Sequence, residues 1–129
     1  MNDIVFVHDN QASPGPRRVA LERAGWNVRA TSNATEALGW LRESGAALVL
    51  LDVLVEGGPG FDVCRRIRDH HTEHEIPILL GCSIYQEPEH EREAELAGAQ
   101  AYLRNPVDLA DLVALVTQLT GERRGVRAA

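Results

Sequence analysis

The sequence predicts an α/β fold in which a five-stranded parallel sheet is covered on both sides by helices. Three observations predict it. Short apolar runs alternate along the chain with stretches of helical spacing. The runs Ile4-Val5-Phe6-Val7 and Ala46-Ala47-Leu48-Val49-Leu50-Leu51 are uninterrupted, as expected of strands buried on both faces. At 129 residues, with 44% hydrophobic and 25% charged positions, the chain can bury one sizeable core and is too apolar for disorder.

The first strand ends in His8-Asp9. Ser13 before Pro14 reads as an N-cap, and a helix from about Arg17 to Ala24 stops at Gly25. Trp26 to Ala30 reads as an edge strand. Asn33 and Glu36 have capping-box spacing ahead of a helix that turns Ala37, Leu38 and Leu41 inward and ends at Gly45. The strongest strand, Ala46 to Leu51, ends at Asp52. Glu56-Gly57-Gly58-Pro59-Gly60 reads as a loop, after which Phe61, Cys64 and Ile67 follow helical spacing. A polar connection leads to a fourth strand, Ile76 to Cys82. Pro88 opens a glutamate-rich helix that Gly98 stops. Ala101-Tyr102-Leu103 forms a short fifth strand closed by Asn105-Pro106. Asp108 caps a last helix with Leu109, Leu112, Val113, Val116 and Leu119 on one face. Gly121 is expected to end it, giving a domain over 1–121 and a short tail over 122–129.

Composition excludes several chemistries. All 13 basic residues are arginine, so a Schiff-base lysine and a Walker lysine are ruled out. A net charge of −6 and 5% aromatic residues disfavour direct nucleic-acid binding, which needs a basic face or stacking platforms. No apolar run approaches the ~20 residues of a membrane helix, and the N-terminal apolar stretch is too short for a signal peptide. The expected location is cytoplasmic, with no membrane partner. Cys64 and Cys82 form neither a disulfide framework nor a CxxC pair.

In parallel sheets of this kind, ligands bind outside the carboxyl ends of the strands. His8, Asp9, Asp52 and Cys82 all fall at such ends. The predicted topology therefore gathers an imidazole, two carboxylates and a thiol at one rim.

Five segments, taken in order, resemble the response-regulator receiver domain of bacterial two-component systems: Ile4 to Asp9, Leu48 to Leu54, Gly60-Phe61-Asp62-Val63-Cys64, Ile76 to Leu80, and Gly98-Ala99 with Tyr102-Leu103 and Pro106. The resemblance covers roughly residues 3–120. It implies a flavodoxin-like (βα)5 sheet of order 2-1-3-4-5 and a signalling module rather than an enzyme. It also implies a phosphoacceptor at Asp52 and a magnesium ion held by Asp9, Asp52 and the backbone carbonyl of Leu54. Hard oxygen donors of this kind suit magnesium. The implied partners are a histidine kinase or phosphotransfer protein, and a downstream signalling protein docking on the fourth helix, fifth strand and fifth helix.

This sequence departs from the family pattern at the site. His8 replaces the first of two adjacent acids. The threonine or serine position at the end of the fourth strand falls on Cys82 when counted from Asp52, and on Ser83 when counted back from Asn105. Asn105 stands where the family carries lysine, and Glu56 where proline is common. Arg104 is adjacent, but successive strand residues face opposite sides, so it is expected to point away. The resulting expectation is a degenerate receiver: Asp52 is retained, the switch is impaired, and the magnesium site is weakened or lost. The alternative is a phosphorylation-independent pseudo-receiver acting as an interaction module. A flavodoxin-like cofactor binder is a third class, for which the sequence offers no cradle.

Other signals have plain readings beside their functional ones. A charged His8 would replace part of the missing lysine charge and compete with magnesium, whereas a neutral His8 would simply hydrogen-bond at the strand end. Tyr102 matches the family's aromatic switch position and equally suits a half-buried tyrosine. Cys64 is expected in the core, and Cys82 lacks an electropositive setting for reactivity. His70, His71 and His74 read as a solvated loop rather than a metal site. Glu87, Glu89, Glu91, Glu93 and Glu95 make the fourth helix acidic, which is ordinarily a solvated face; as a partner surface it would select a basic partner, or oppose self-association unless Arg92 and Arg104 pair with it. The Gly57-to-Gly60 loop lacks the spacing and lysine of a phosphate loop.

Overall fold

The computed structural model describes residues 2–9, 15–55, 58–72, 75–82, 88–104 and 108–123, with the side chains of 54, 55, 58, 82, 88, 104, 122 and 123 outside that description. One parallel sheet is built from β1 (Asp3–Val7), β2 (Asn27–Thr31), β3 (Leu48–Asp52), β4 (Ile78–Cys82) and β5 (Ala101–Arg104), in the spatial order β2-β1-β3-β4-β5. The helices are α1 (Gly15–Arg23), α2 (Ala34–Ser44), α3 (Gly60–Arg68), α4 (Pro88–Leu96) and α5 (Leu109–Arg123). This is the flavodoxin-like order that the resemblance implies. Leu54–Val55 and Gly58–Pro59 form a small antiparallel ladder, so the expected loop over 56–60 is corrected at its far end: Gly58–Pro59 is extended and paired, and Gly60 opens α3.

Strand alternation sorts the core into two layers. Val5, Val7, Val49, Leu51, Ile78 and Leu80 pack with Ala37 and Leu41 of α2, Phe61, Cys64 and Ile67 of α3, and Ala94 of α4. The intervening residues Ile4, Phe6, Leu48, Leu50 and Leu79 pack on the opposite face with Leu21 of α1 and Leu112, Val116 and Leu119 of α5. Both faces are therefore apolar, which is why the central strands show no polar alternation. Asp52 continues the second parity, so its side chain emerges on the α1 and α5 side.

Local chemistry sets the element ends. Asn33 Oδ1 caps α2 by accepting the Glu36 N–H at 3.0 Å. The return arm of the capping box runs through Thr31: its Oγ1 accepts the Asn33 N–H at 3.0 Å, and its hydroxyl donates to Glu36 Oε1 at 2.6 Å. Asp108 Oδ1 caps α5 by accepting from Ala110 N at 2.8 Å and Asp111 N at 3.1 Å. β4 starts at Ile78, two residues later than expected, because Pro77 has no N–H to give the ladder. α1 starts at Gly15, and the expected cap at Ser13 lies outside the described residues. α5 passes through Gly121 to Arg123, contrary to the expected stop. A glycine ends a helix by turning left-handed, as Gly25, Gly45 and Gly98 do, and Gly121 has no positive φ. The helix therefore runs past the expected domain boundary at 121.

The segments leading into β4 and β5 are fastened by Arg68, a residue that sequence reasoning did not single out. Its guanidinium donates to the carbonyls of Gly98, His71, Thr72 and Ile76 and to Gln100 Oε1, the last two at 2.6 Å each. Gln100 Oε1 also accepts the Ile78 N–H at 2.7 Å.

Candidate functional site

The carboxyl ends of β1 and β3 build the site. β1 and β3 are in register from Ile4↔Leu48 to Val7↔Leu51, so the residues that follow, His8 and Asp52, leave the sheet side by side. On the other flank Asp52 is the register partner of Gly81, which in turn is opposite Leu103. Asp52 is buried, at 7% exposure. Its Oδ2 accepts the backbone N–H of Asp9 at 2.8 Å. The two acids expected at one rim do meet there, through the main chain of one and the side chain of the other.

Gly60 makes the turn after β3 possible. Its N–H donates to the Val53 carbonyl at 2.6 Å. A Cβ at this position would lie 2.6 Å from the Asp52 carbonyl oxygen and 2.7 Å from Val53 Cα. The first turn of α3 can thus press against the Asp52 backbone only with glycine there.

The principal partner of Asp52 is Arg17, from the first turn of α1. Arg17 Nη1 donates to Oδ1 at 2.8 Å, and Nη2 donates to Oδ2 at 3.1 Å. The pair is largely withdrawn from solvent, with side-chain exposures of 18% for Arg17 and 9% for Asp52. The guanidinium carbon also sits 4.6 Å from the centroid of the Phe6 ring, which is fully buried. Asp52 therefore accepts three hydrogen bonds and faces a full positive charge. The three hydrogen bonds and the paired charge offset the cost of withdrawing the carboxylate from water.

Sequence reasoning missed Arg17. It sought a cation in the loop after β5 and found Asn105. The available signal was topological: α1 begins at the same rim where β1 and β3 end, so its first turn overlooks Asp52.

The remaining expected residues are placed as follows. His8 Nδ1 lies 3.2 Å from the Asp9 carbonyl, and its ring meets Phe6 edge-on at 5.6 Å. Tyr102 lies on the other sheet face, half-buried, with its ring stacked on Phe61 at 6.5 Å and 18°. Leu54 and Cys82 are described in backbone only, Leu54 opposite Pro59 and Cys82 opposite Arg104. Ser83, Asn105 and Glu56, and the side chain of Arg104, lie outside the described residues. Cys64 is buried in the core. Among the described residues no three His, Cys, Asp or Glu side chains gather as metal ligands, and His70 is exposed.

The oxygen donors Asp9, Asp52 and the Leu54 carbonyl suit magnesium chemically. The observed arrangement sets a guanidinium against both Asp52 oxygens. The donor set fits the ion, and Arg17 occupies the carboxylate it would use.

A family model for the response regulator receiver domain matches residues 4–117. The chain belongs to that family. This receiver is 34% identical over 113 residues to the transcriptional regulatory protein CseB of Streptomyces avermitilis, covering 88% of this chain and 46% of that protein. It is 31% identical over 113 residues to the uncharacterized transcriptional regulatory protein YkoG of Bacillus subtilis, covering 88% and 48%. The receiver spans about half the length of the curated relatives it matches. A receiver domain protein (CheY-like) of Methanospirillum hungatei superposes with a TM-score of 0.86 at 22% identity, over 97% of this chain and 98% of that one. That likeness concerns the fold. Among the described residues no helix is long and apolar enough to cross a membrane.

Proposed function

We propose that this receiver accepts a phosphoryl group on Asp52 from a histidine kinase or phosphotransfer protein, and that its response to phosphorylation is weakened. The observation that carries the reading is the Asp52 carboxylate, held at the carboxyl end of β3 by the Asp9 N–H at 2.8 Å. In the transfer, an Asp52 oxygen forms a bond to phosphorus while the P–N bond to the donor histidine breaks. The electron pair leaves with the imidazole nitrogen, which takes up a proton, and an acyl phosphate remains on Asp52. Asp9, Asp52 and the Leu54 carbonyl are the groups that would hold magnesium, which neutralises charge on the transferring phosphoryl group when bound.

The weakened response follows from the missing cation in the loop after β5. A charge-assisted hydrogen bond contributes about 1.5–3 kcal/mol and a neutral one about 1 kcal/mol. Near-complete switching needs about 5.5 kcal/mol of differential binding. Asn105 in place of lysine removes a large part of that. A downstream signalling protein would read the face formed by α4, β5 and α5. The acidic first turn of α4, with Glu89 and Glu91, favours a basic partner there.

The test is treatment with a small phosphodonor and magnesium, followed by intact mass. A gain of ~80 Da (one phosphoryl group) in the wild type and none in Asp52→Asn is expected. An equal gain in Asp52→Asn would overturn the acceptor assignment. Amide shifts extending to Tyr102 and α4 at full strength would overturn the weakened response.

A second reading is favoured by the Arg17–Asp52 pair: a domain that docks its partners without phosphorylation. A neutralised, three-fold hydrogen-bonded Asp52 is already a stable structural element. Absence of any adduct, with partner binding intact in Asp52→Asn, would support this reading over the first.

A further inference from the structure

We propose that Arg17 is a tethered rival of the divalent ion at Asp52, so that metal binding and phosphoryl acceptance both require its guanidinium to leave the carboxylate. This deepens the receiver reading above and rests on it.

The geometry leaves little room for both cations. Oδ2 accepts from Arg17 Nη2 and from the Asp9 N–H, which uses both of its lone-pair positions. Oδ1 accepts from Arg17 Nη1 and keeps one. An ion bound at that remaining position would stand beside a guanidinium on the same carboxylate. With solvent largely excluded, like charges at that separation repel strongly.

The Arg17 seat is built rather than incidental. The side chain is 18% exposed, it grips Asp52 at two points, and its guanidinium covers Phe6 at 4.6 Å. A flat guanidinium matches a carboxylate in a way that a lysine ammonium cannot. The group is also covalently attached, so its competition for Asp52 is intramolecular and does not weaken on dilution. If the guanidinium covers Asp52 in ~99% of molecules, the apparent affinity for the ion falls ~100-fold.

The arrangement also separates two roles that one charge often combines. Arg17 comes from α1, which packs on the α5 side of the sheet, whereas Asn105 follows β5 in the sequence. A cation on Asp52 from α1 neutralises the acid without pulling on β5.

The experiment is calorimetric titration of magnesium chloride into the full chain, for the wild type, Arg17→Gln, Arg17→Lys and Arg17→Gln/Asp52→Asn. Arg17→Gln is expected to bind magnesium at least ~10-fold more tightly than wild type. Arg17→Lys, which keeps the charge and loses the fork, should gain less, and the double variant should lose the gain. The Arg17 Nε–H resonance of the wild type should shift at saturating magnesium. Equal affinity in wild type and Arg17→Gln would overturn the rivalry and leave the receiver reading standing. Weaker binding in Arg17→Gln would overturn it too, showing that Arg17 supports the ion. No binding in any variant would remove magnesium from the receiver reading as well. If Arg17→Gln does not fold, the Arg17→Lys comparison and the Nε–H shift decide.

Discussion

Arg17 and Asp52 lie 35 residues apart in the chain and meet at two points, Nη1 on Oδ1 and Nη2 on Oδ2. The contact joins α1 to the end of β3 across the top of β1. It is the electrostatic keystone of the rim, because Asp52 is the buried acid there.

A double-mutant cycle measures what the pair is worth. Arg17→Ala should cost about 2 kcal/mol in urea unfolding without divalent ions, since it strands a buried carboxylate beside Asp9. The coupling energy between Arg17→Ala and Asp52→Ala should be about 1–3 kcal/mol. A coupling below about 0.5 kcal/mol would mean that the pair is not populated in solution.

Gly60→Ala places a methyl group 2.6 Å from the Asp52 carbonyl oxygen. Neither backbone group at the contact is a flexible side-chain end, so the start of α3 must shift. The expected cost is about 1–3 kcal/mol in thermal unfolding, with amide shifts centred on Asp52 and Val53. An unchanged melting temperature would show that the close approach is not maintained.

Arg68→Met removes the guanidinium and leaves four carbonyls and the Gln100 side chain without that donor. A loss of about 2–4 kcal/mol in unfolding free energy is expected. Arg68→Lys should recover only part of it, because an ammonium cannot span the set. Full recovery by lysine would contradict the forked geometry.

Much of this architecture was readable from residues alone, and the exceptions have physical reasons. The central strands β1, β3 and β4 announced themselves because a strand covered on both faces has almost no polar positions to interrupt it. Helix ends were readable at Gly25, Gly45 and Gly98, where the glycine takes positive φ, and not at Gly121, where it stays helical. Asp9 and Asp52 were found because strand ends converge at one rim whatever the side chains do. Arg17 and Arg68 were not found, because long side chains bridge elements that sequence spacing does not bring together. Arg104 drew notice by standing next to Asn105, while the cation that reaches the acid comes from a helix at the opposite end of the chain.

Thr72 governs a separate exposed carboxylate. Its backbone N–H donates to Glu75 Oε1 at 3.0 Å, and with its hydroxyl it holds Glu75 below the ordinary value of 4.5. A lowered folded value means that the group's contribution to stability is present above its unfolded value and fades as pH falls through the folded one. NMR titration should show Glu75 below 4.5 in the wild type and moving upward in Thr72→Ala. Titration at the ordinary value in the wild type would refute the contact.

Arg68 gives the sheet two unequal poles. The amino ends of β4 and β5 are riveted through Gln100, whose side chain and main chain both bond Ile78 at 2.7 and 2.9 Å. Amide protons there should be among the slowest to exchange with solvent. A rearrangement set off at the opposite pole therefore meets β4 and β5 already tied at their far ends, and is expected to travel sideways along the rim rather than down those two strands.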